Sequence, residues 1–179
     1  YLSLGKKPRI IFNSKEKIID IKNLDDVEFE QMELNNFDQT RAFVKVEDGC
    51  ENFCSYCIIP YTRGKVRSRG ILNILEEVKM LSLKGYKEIV LVGIHTGHYN
   101  NDGKTLSDLL DLICQIDGIE RVRISSIEIT ELDDKFLACL ENNKKIVDHI
   151  HIPLQSGSNQ VLKDMNRKYT TEYFYNTIN

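Results

Sequence analysis

Ile89, Val90, Leu91 and Val92 form an unbroken apolar run. A strand that is apolar on both faces must be covered on both sides, as in a parallel sheet wrapped by helices. The flanking sequence supplies such covers. Residues 71–84 put Ile71, Leu75, Val78 and Leu81 on one helical face, with Leu72 and Ile74 beside them, and Gly85 stops the helix. Downstream, Thr105 starts a second helix with Asp108 as its capping-box partner. Leu106, Leu109, Leu110, Ile113 and Ile116 mark its buried face.

The alternation extends in both directions. Residues 42–47 read as a strand, residues 121–125 as the next, and residues 145–151 as another. Asp133 caps a helix with Phe136, Leu137 and Leu140 inward, Ser158 caps a short helix, and Thr170 or Thr171 caps a last one. Strict alternation with short connections predicts an α/β domain over residues 41–179, a parallel sheet with helices outside. Function in such folds collects in the loops after the carboxyl ends of the strands. Those loops are the cysteine-bearing stretch, residues 93–103, residues 125–131 and residues 151–157. Residues 1–40 are weakly patterned. Short strands are expected at Ile10–Phe12 and Ile18–Ile21, and the acidic run 25–33 reads as a solvated linker.

Residues 44–69 read VKVEDGCENFCSYCIIPYTRGKVRSR. Cys50, Cys54 and Cys57 follow the first of these strands with the spacing C-x3-C-x2-C. Three thiolates hold three corners of a metal site, and nothing nearby supplies a fourth. A 4Fe–4S cluster with one open iron fits that set, since most clusters take four cysteines. Zinc stays open as the other reading: structural zinc takes four closed ligands, and His95 and His98 are spaced to complete such a site. The short spacing is unlike a secreted disulfide framework, and in a reducing cytosol it favours metal. Cys114 and Cys139 lie in apolar helical surroundings and read as core thiols. His151 reads as facing the functional rim, and His149 as pointing inward.

The formal net charge is −3, so any nucleic-acid contact has to come from a local patch. Arg63, Lys65, Arg67 and Arg69 form one beside the cysteines, read either as a solvated loop or as contacts to phosphate or carboxylate. No apolar run approaches the roughly 18 residues of a membrane span.

A C-x3-C-x2-C motif directly after a strand resembles the radical S-adenosylmethionine enzymes. Four blocks extend the match in order: DGCENFCSYCIIPYTRGKVRSR, LVGIHTGHY, RISSIE and HIPLQSGSNQVLKDMNRKYT. Together they resemble the methylthiotransferase branch of that superfamily. GIHTGHY is similar to the enzymes that modify N6-threonylcarbamoyladenosine beside the tRNA anticodon. The resemblance implies a 4Fe–4S cluster on Cys50, Cys54 and Cys57, whose open iron takes S-adenosylmethionine. Cleavage of that cofactor to a 5′-deoxyadenosyl radical then leads to methylthiolation of the adenine at C2. It also implies a partial barrel, with about four of the six parallel strands present.

By the same resemblance, Tyr56, Gly93, Ile94, Ser125, Ser126, Glu128 and Gln155, with Ser156, belong around the cofactor. Arg63, Lys65, Arg67 and Arg69 belong to substrate. The implied partners are tRNA, a reductase or flavodoxin-type electron donor and a sulfur source, in the cytoplasm and away from membranes. Residues 1–40 correspond to the trailing edge of an amino-terminal domain that carries a second 4Fe–4S cluster in the family. The chain is therefore expected to be an excised piece that binds a cluster without completing methylthiolation. Two other readings stand beside this one: a methylthiotransferase of the isopentenyladenosine branch, and a zinc-stabilised RNA-binding module without redox chemistry.

Overall fold

A computed structural model describes the backbone of residues 6–10 and 19–23, Phe29, and all of residues 40–179. The acidic run 25–33 lies, apart from Phe29, outside the described residues. β1 (Lys6–Ile10) and β2 (Ile19–Asn23) pair antiparallel, close to the two short strands expected there. The α/β unit begins with β3 (Ala42–Lys45), β4 (Glu47–Asp48), α1 (Ile59–Arg63) and β5 (Arg67–Ser68). It continues with α2 (Ile71–Leu83), β6 (Glu88–Val92), β7 (Asn100–Asn101), β8 (Lys104–Thr105) and α3 (Leu106–Cys114). β9 (Arg121–Ile124), α4 (Asp134–Asn142), α5 (Asn159–Asp164) and α6 (Thr171–Ile178) complete it.

β3, β6 and β9 form a parallel sheet in that order, with Val44 opposite Leu91 and Leu91 opposite Ile124. The sheet is open, one arc of a barrel. Its central strand is the apolar run, and Ile89, Val90 and Leu91 are all buried. α2 covers the core with Ile74, Val78 and Leu81, and α3 with Leu106, Leu109, Leu110 and Ile113. Each such side chain contributes about 1.5–3 kcal/mol through burial. Cys114 and Cys139 belong to this core, as expected.

The caps follow the sequence reading. Thr105 donates its backbone N–H to Asp108 Oδ2 at 2.8 Å, and Asp133 accepts from the N–H of Phe136 at 2.7 Å. Ser158 and Thr170 cap α5 and α6. Leu137 differs from expectation, being exposed on α4.

The strand expected over residues 145–151 is reduced to two isolated parallel bridges, Val122 to Ile146 and Ser126 to His151. Between them the N–H of His149 bonds the carbonyl of Val147 at 2.7 Å. That tight turn diverts the backbone from the ladder. It also turns His149, expected inward, out to solvent.

The sequence pattern missed the small hairpin of β4 and β5 that closes the cysteine loop. Gly49 makes the hairpin possible. Its φ is +92°, and any Cβ there would run into the backbone carbonyl of Lys65. No helix among the described residues is long and apolar enough to cross a membrane.

Candidate functional site

The cysteine loop leaves β4 at the carboxyl end of the sheet. It is tied at both ends and in the middle. Cys50 N–H bonds Gly64 O at 3.1 Å and Cys57 N–H bonds Cys54 O at 2.9 Å. The distant segment 165–167 fastens the centre: Ser55 N–H bonds Met165 O at 3.2 Å. Asn166 Nδ2 donates to the carbonyls of Asn52 and Phe53 at 3.2 and 3.0 Å. Phe53 and Asn166 both carry positive φ, 48° and 59°, so this junction holds the backbone where side chains seldom put it.

The three thiols are free and partly buried. Burial pushes the Cys54 thiol up, Arg167 offsets part of that, and the neighbouring Cys50 and Cys57 add to the rise. All three cysteines face one space. They border a cavity of about 310 Å³. Tyr56, Ile94, Ser126, Glu128 and Gln155 line the same cavity, so five residues expected around a cofactor do share one space with the cysteines. Gly93 and Ser125 do not line it. They lie behind it, Gly93 against the Glu47 carboxylate and Ser125 with its hydroxyl 3.2 Å from that of Thr96. Ser156 turns to its own loop, its hydroxyl accepting the N–H of Ser158 at 3.1 Å.

Arg167 was not singled out by the sequence. It lines the cavity, pairs with Glu128 and donates to the Tyr56 hydroxyl at 2.5 Å. Tyr56 in turn donates to Gln155 Oε1 at 3.2 Å. Four side chains from four loops are therefore joined along one wall. Gln155 reaches it through a left-handed backbone, φ 66°. The only sequence signal for Arg167 was its place in the NRKYT end of the last block.

His95 also lines the cavity and is buried. Its backbone N–H bonds Glu47 Oε2 at 2.6 Å, its Nδ1 lies 3.8 Å from Cys50 Sγ, and its Nε2 meets Glu131 Oε1. Burial alone lowers its pKa, but Cys50 and Glu131 outweigh it and push His95 up to about 10. His98 stacks on His95 with ring centroids 3.8 Å apart. Burial and the His95 charge lower its pKa. His95, His98 and Glu131 group their ligand atoms within 4.8 Å, yet His95 and Glu131 are in direct contact, which leaves no gap for an ion between them. Of the two histidines proposed as zinc ligands by spacing, His95 approaches Cys50 through Nδ1 while its Nε2 is taken by Glu131.

Glu47 is fully buried, and Oε1 has no hydrogen-bond partner among the described residues. Burial raises its pKa from 4.5 to about 7, against the backbone bond from His95. A carboxyl raised on folding stabilises the fold below its unfolded pKa and loses that contribution as pH rises through the folded value. Relative to Glu47→Gln, the native chain is expected to lose about 3 kcal/mol of stability between pH 4.5 and pH 8. Urea unfolding of both proteins across that range measures it; parallel curves would refute it.

The basic loop divides in two. Lys45, Arg63 and Arg67 surround the buried Asp48, at 2.8, 3.7 and 3.7 Å from its Oδ2. Burial would raise the Asp48 pKa, but Lys45 and Arg63 hold it low. Arg67 also donates to Arg63 O at 2.8 Å and so braces the hairpin. Lys65 is exposed and Arg63 partly so. Arg69, expected to meet substrate, is only 5% exposed and pairs with Glu77 inside the fold. Its side chain reaches Lys45 O at the end of β3 and Glu77 on α2.

Comparison with known proteins places this geometry. Residues 44–179 match the Radical SAM superfamily. The chain is 46% identical over 155 residues to a threonylcarbamoyladenosine tRNA methylthiotransferase of Bacillus subtilis, covering 84% of this chain and 34% of the relative. It is 37% identical over 182 residues to a tRNA-2-methylthio-N(6)-dimethylallyladenosine synthase of Acetivibrio thermocellus, covering 98% of this chain and 38% of the relative. It thus spans little more than a third of the length of these curated relatives. Among solved structures, a radical S-adenosylmethionine methyltransferase from Kitasatospora setae superposes with a TM-score of 0.62 at 14% identity, covering 77% of this chain and 27% of that one. A second structure of that enzyme, with a 4Fe–4S cluster bound, gives a TM-score of 0.60 at 15% identity, over 74% of this chain and 27% of that one.

Proposed function

Because the chain belongs to the radical SAM superfamily, we propose that it provides the cofactor-binding domain of a tRNA methylthiotransferase acting on N6-threonylcarbamoyladenosine. The observation that carries this reading is the meeting of three thiols with Tyr56, Ile94, Ser126, Glu128 and Gln155 around one cavity at the carboxyl end of a parallel sheet. Relatives of both tRNA-modifying kinds support tRNA as the substrate class. The threonylcarbamoyl assignment is favoured by identities of 46% and 43% to two enzymes of that name, with a third at 38%, against 36% to 41% to dimethylallyl relatives.

Superfamily members use a 4Fe–4S cluster and S-adenosylmethionine, and the residues present suit both. Cys50, Cys54 and Cys57 would hold the cluster: they are free, partly buried, and border one cavity. Bound there, the two cofactors supply one-electron chemistry that generates a carbon radical. The chain's own residues bind, orient and exclude water. Glu128, Ser126 and Gln155 present acceptors and donors for a ribose or an amino-acid head group. Arg167 fixes Glu128 and Tyr56 in place. Ile94, Ile59 and Ile127 give the cavity apolar surface that keeps water from a reactive radical. Arg63 and Lys65 remain on the surface to meet phosphate, while Arg67 braces the loop and Arg69 is internal.

The test has two arms. Anaerobic reconstitution, dithionite and S-adenosylmethionine should yield 5′-deoxyadenosine from the chain. One zinc per chain, no iron and no cleavage would instead identify an RNA-binding module. Nucleoside analysis of tRNA from a deletion strain should show loss of the methylthio group from threonylcarbamoyladenosine. Loss from the dimethylallyl nucleoside would move the assignment to the other branch.

A further inference from the structure

His95 stands between two acidic groups, and neither contact is incidental. Its Nδ1 lies 3.8 Å from Cys50 Sγ, and its Nε2 meets Glu131. Glu131 is itself fixed, as its Oε2 accepts the N–H of Glu128 at 3.0 Å in the turn after β9. Gly97 admits this carboxylate: a Cβ at that position would overlap it. The His95 backbone is held separately by Glu47 at 2.6 Å, which fixes the point from which the ring projects. His95 itself is 5% exposed. A metal-bound thiolate can only accept a hydrogen bond, and so can a carboxylate. The contact at Cys50 is therefore made with Nδ1 as the donor once Cys50 is a ligand.

Resting on the reading of Cys50 as a cluster ligand, we propose that His95, positioned by Glu131, donates a hydrogen bond to the Cys50 sulfur and raises the reduction potential of the cluster. Reduction adds electron density to the sulfurs, and a donor aimed at one of them stabilises the reduced state more than the oxidised state. Burial strengthens the effect because water does not screen it. His95 and Glu131 are positioning residues here, acting through the cysteine rather than on substrate.

The experiment is a redox titration of the full-length protein, loaded anaerobically with iron and sulfide. It follows the electron paramagnetic resonance signal that S-adenosylmethionine perturbs. In His95→Leu the ratio of reduced to oxidised cluster at fixed potential should fall about tenfold, a shift of about −59 mV for one electron. His95→Gln keeps a donor and should recover part of that shift. In protein labelled with nitrogen-15 histidine, a weak nitrogen coupling to the reduced cluster should be present in the native chain and absent from His95→Leu. Native potential in His95→Leu, or no histidine coupling in the native chain, would overturn the proposal while leaving the cluster assignment intact. A coupling of the size of a ligating nitrogen would overturn it in favour of direct ligation. A native chain with no S-adenosylmethionine-responsive cluster overturns both this inference and the reading beneath it.

Discussion

Cys54→Ala is expected to give a folded chain that binds no cluster. The Cys54 thiol lies outside both hydrophobic clusters, on a loop whose backbone is held by bonds from residues 57, 64, 165 and 166. Removing the sulfur breaks none of those bonds, so stability should change by less than about 0.5 kcal/mol. Iron after anaerobic reconstitution should fall from about four per chain to background. 5′-Deoxyadenosine should fall with it, because two remaining thiols cannot hold the three ligated irons. Cys114→Ala is the contrasting case. That thiol is the buried last residue of α3, so its loss should lower stability by about 1 kcal/mol and leave iron binding unchanged. Iron content, visible absorbance and urea unfolding decide both. Full iron loading in Cys54→Ala would remove that thiol from the site.

Arg69→Leu should produce the largest loss of stability. Arg69 and Glu77 pair with side chains only 6% and 4% exposed. Arg69 also donates to Lys45 O at 3.4 Å, and its own carbonyl accepts the hydroxyl of the buried Tyr99 at 2.8 Å. The residue thus ties the end of β3, the start of α2 and the loop after β6. Deleting one member of a buried ion pair strands the other charge and costs about 3–5 kcal/mol. The urea midpoint should fall accordingly at constant slope. Replacing both, Arg69→Leu with Glu77→Leu, removes the stranded charge and should recover most of the loss. A single variant within 1 kcal/mol of native would argue that Glu77 finds water or another donor.

The alternating fold was legible because its elements are set by local pattern. The Ile89–Val92 run and the faces of α2 and α3 carry enough periodicity to be read without neighbours. Position 145–151 failed because Asp148 and His149 separate Ile146 and Val147 from Ile150, and a tight turn won over the ladder there. In the site, Cys50, Cys54 and Cys57 announced themselves through spacing. Arg167, Glu131 and the true place of His95 did not, because each depends on a partner between 36 and 111 residues away. Arg69 and Lys65 look alike in sequence, and only packing separates the buried cation from the surface one.

The clasp of Asn166 on the carbonyls of Asn52 and Phe53 joins residues up to 114 apart in the chain. Residues that far apart are not made together. At a synthesis rate of about 5–20 residues per second, Asn166 emerges roughly 6–23 seconds after Phe53. During that interval the cysteine loop has its hairpin but not its clasp. Until Asn166 is made the three thiols stand without this clasp, so a pause in translation within the stretch prolongs their exposure to oxidation.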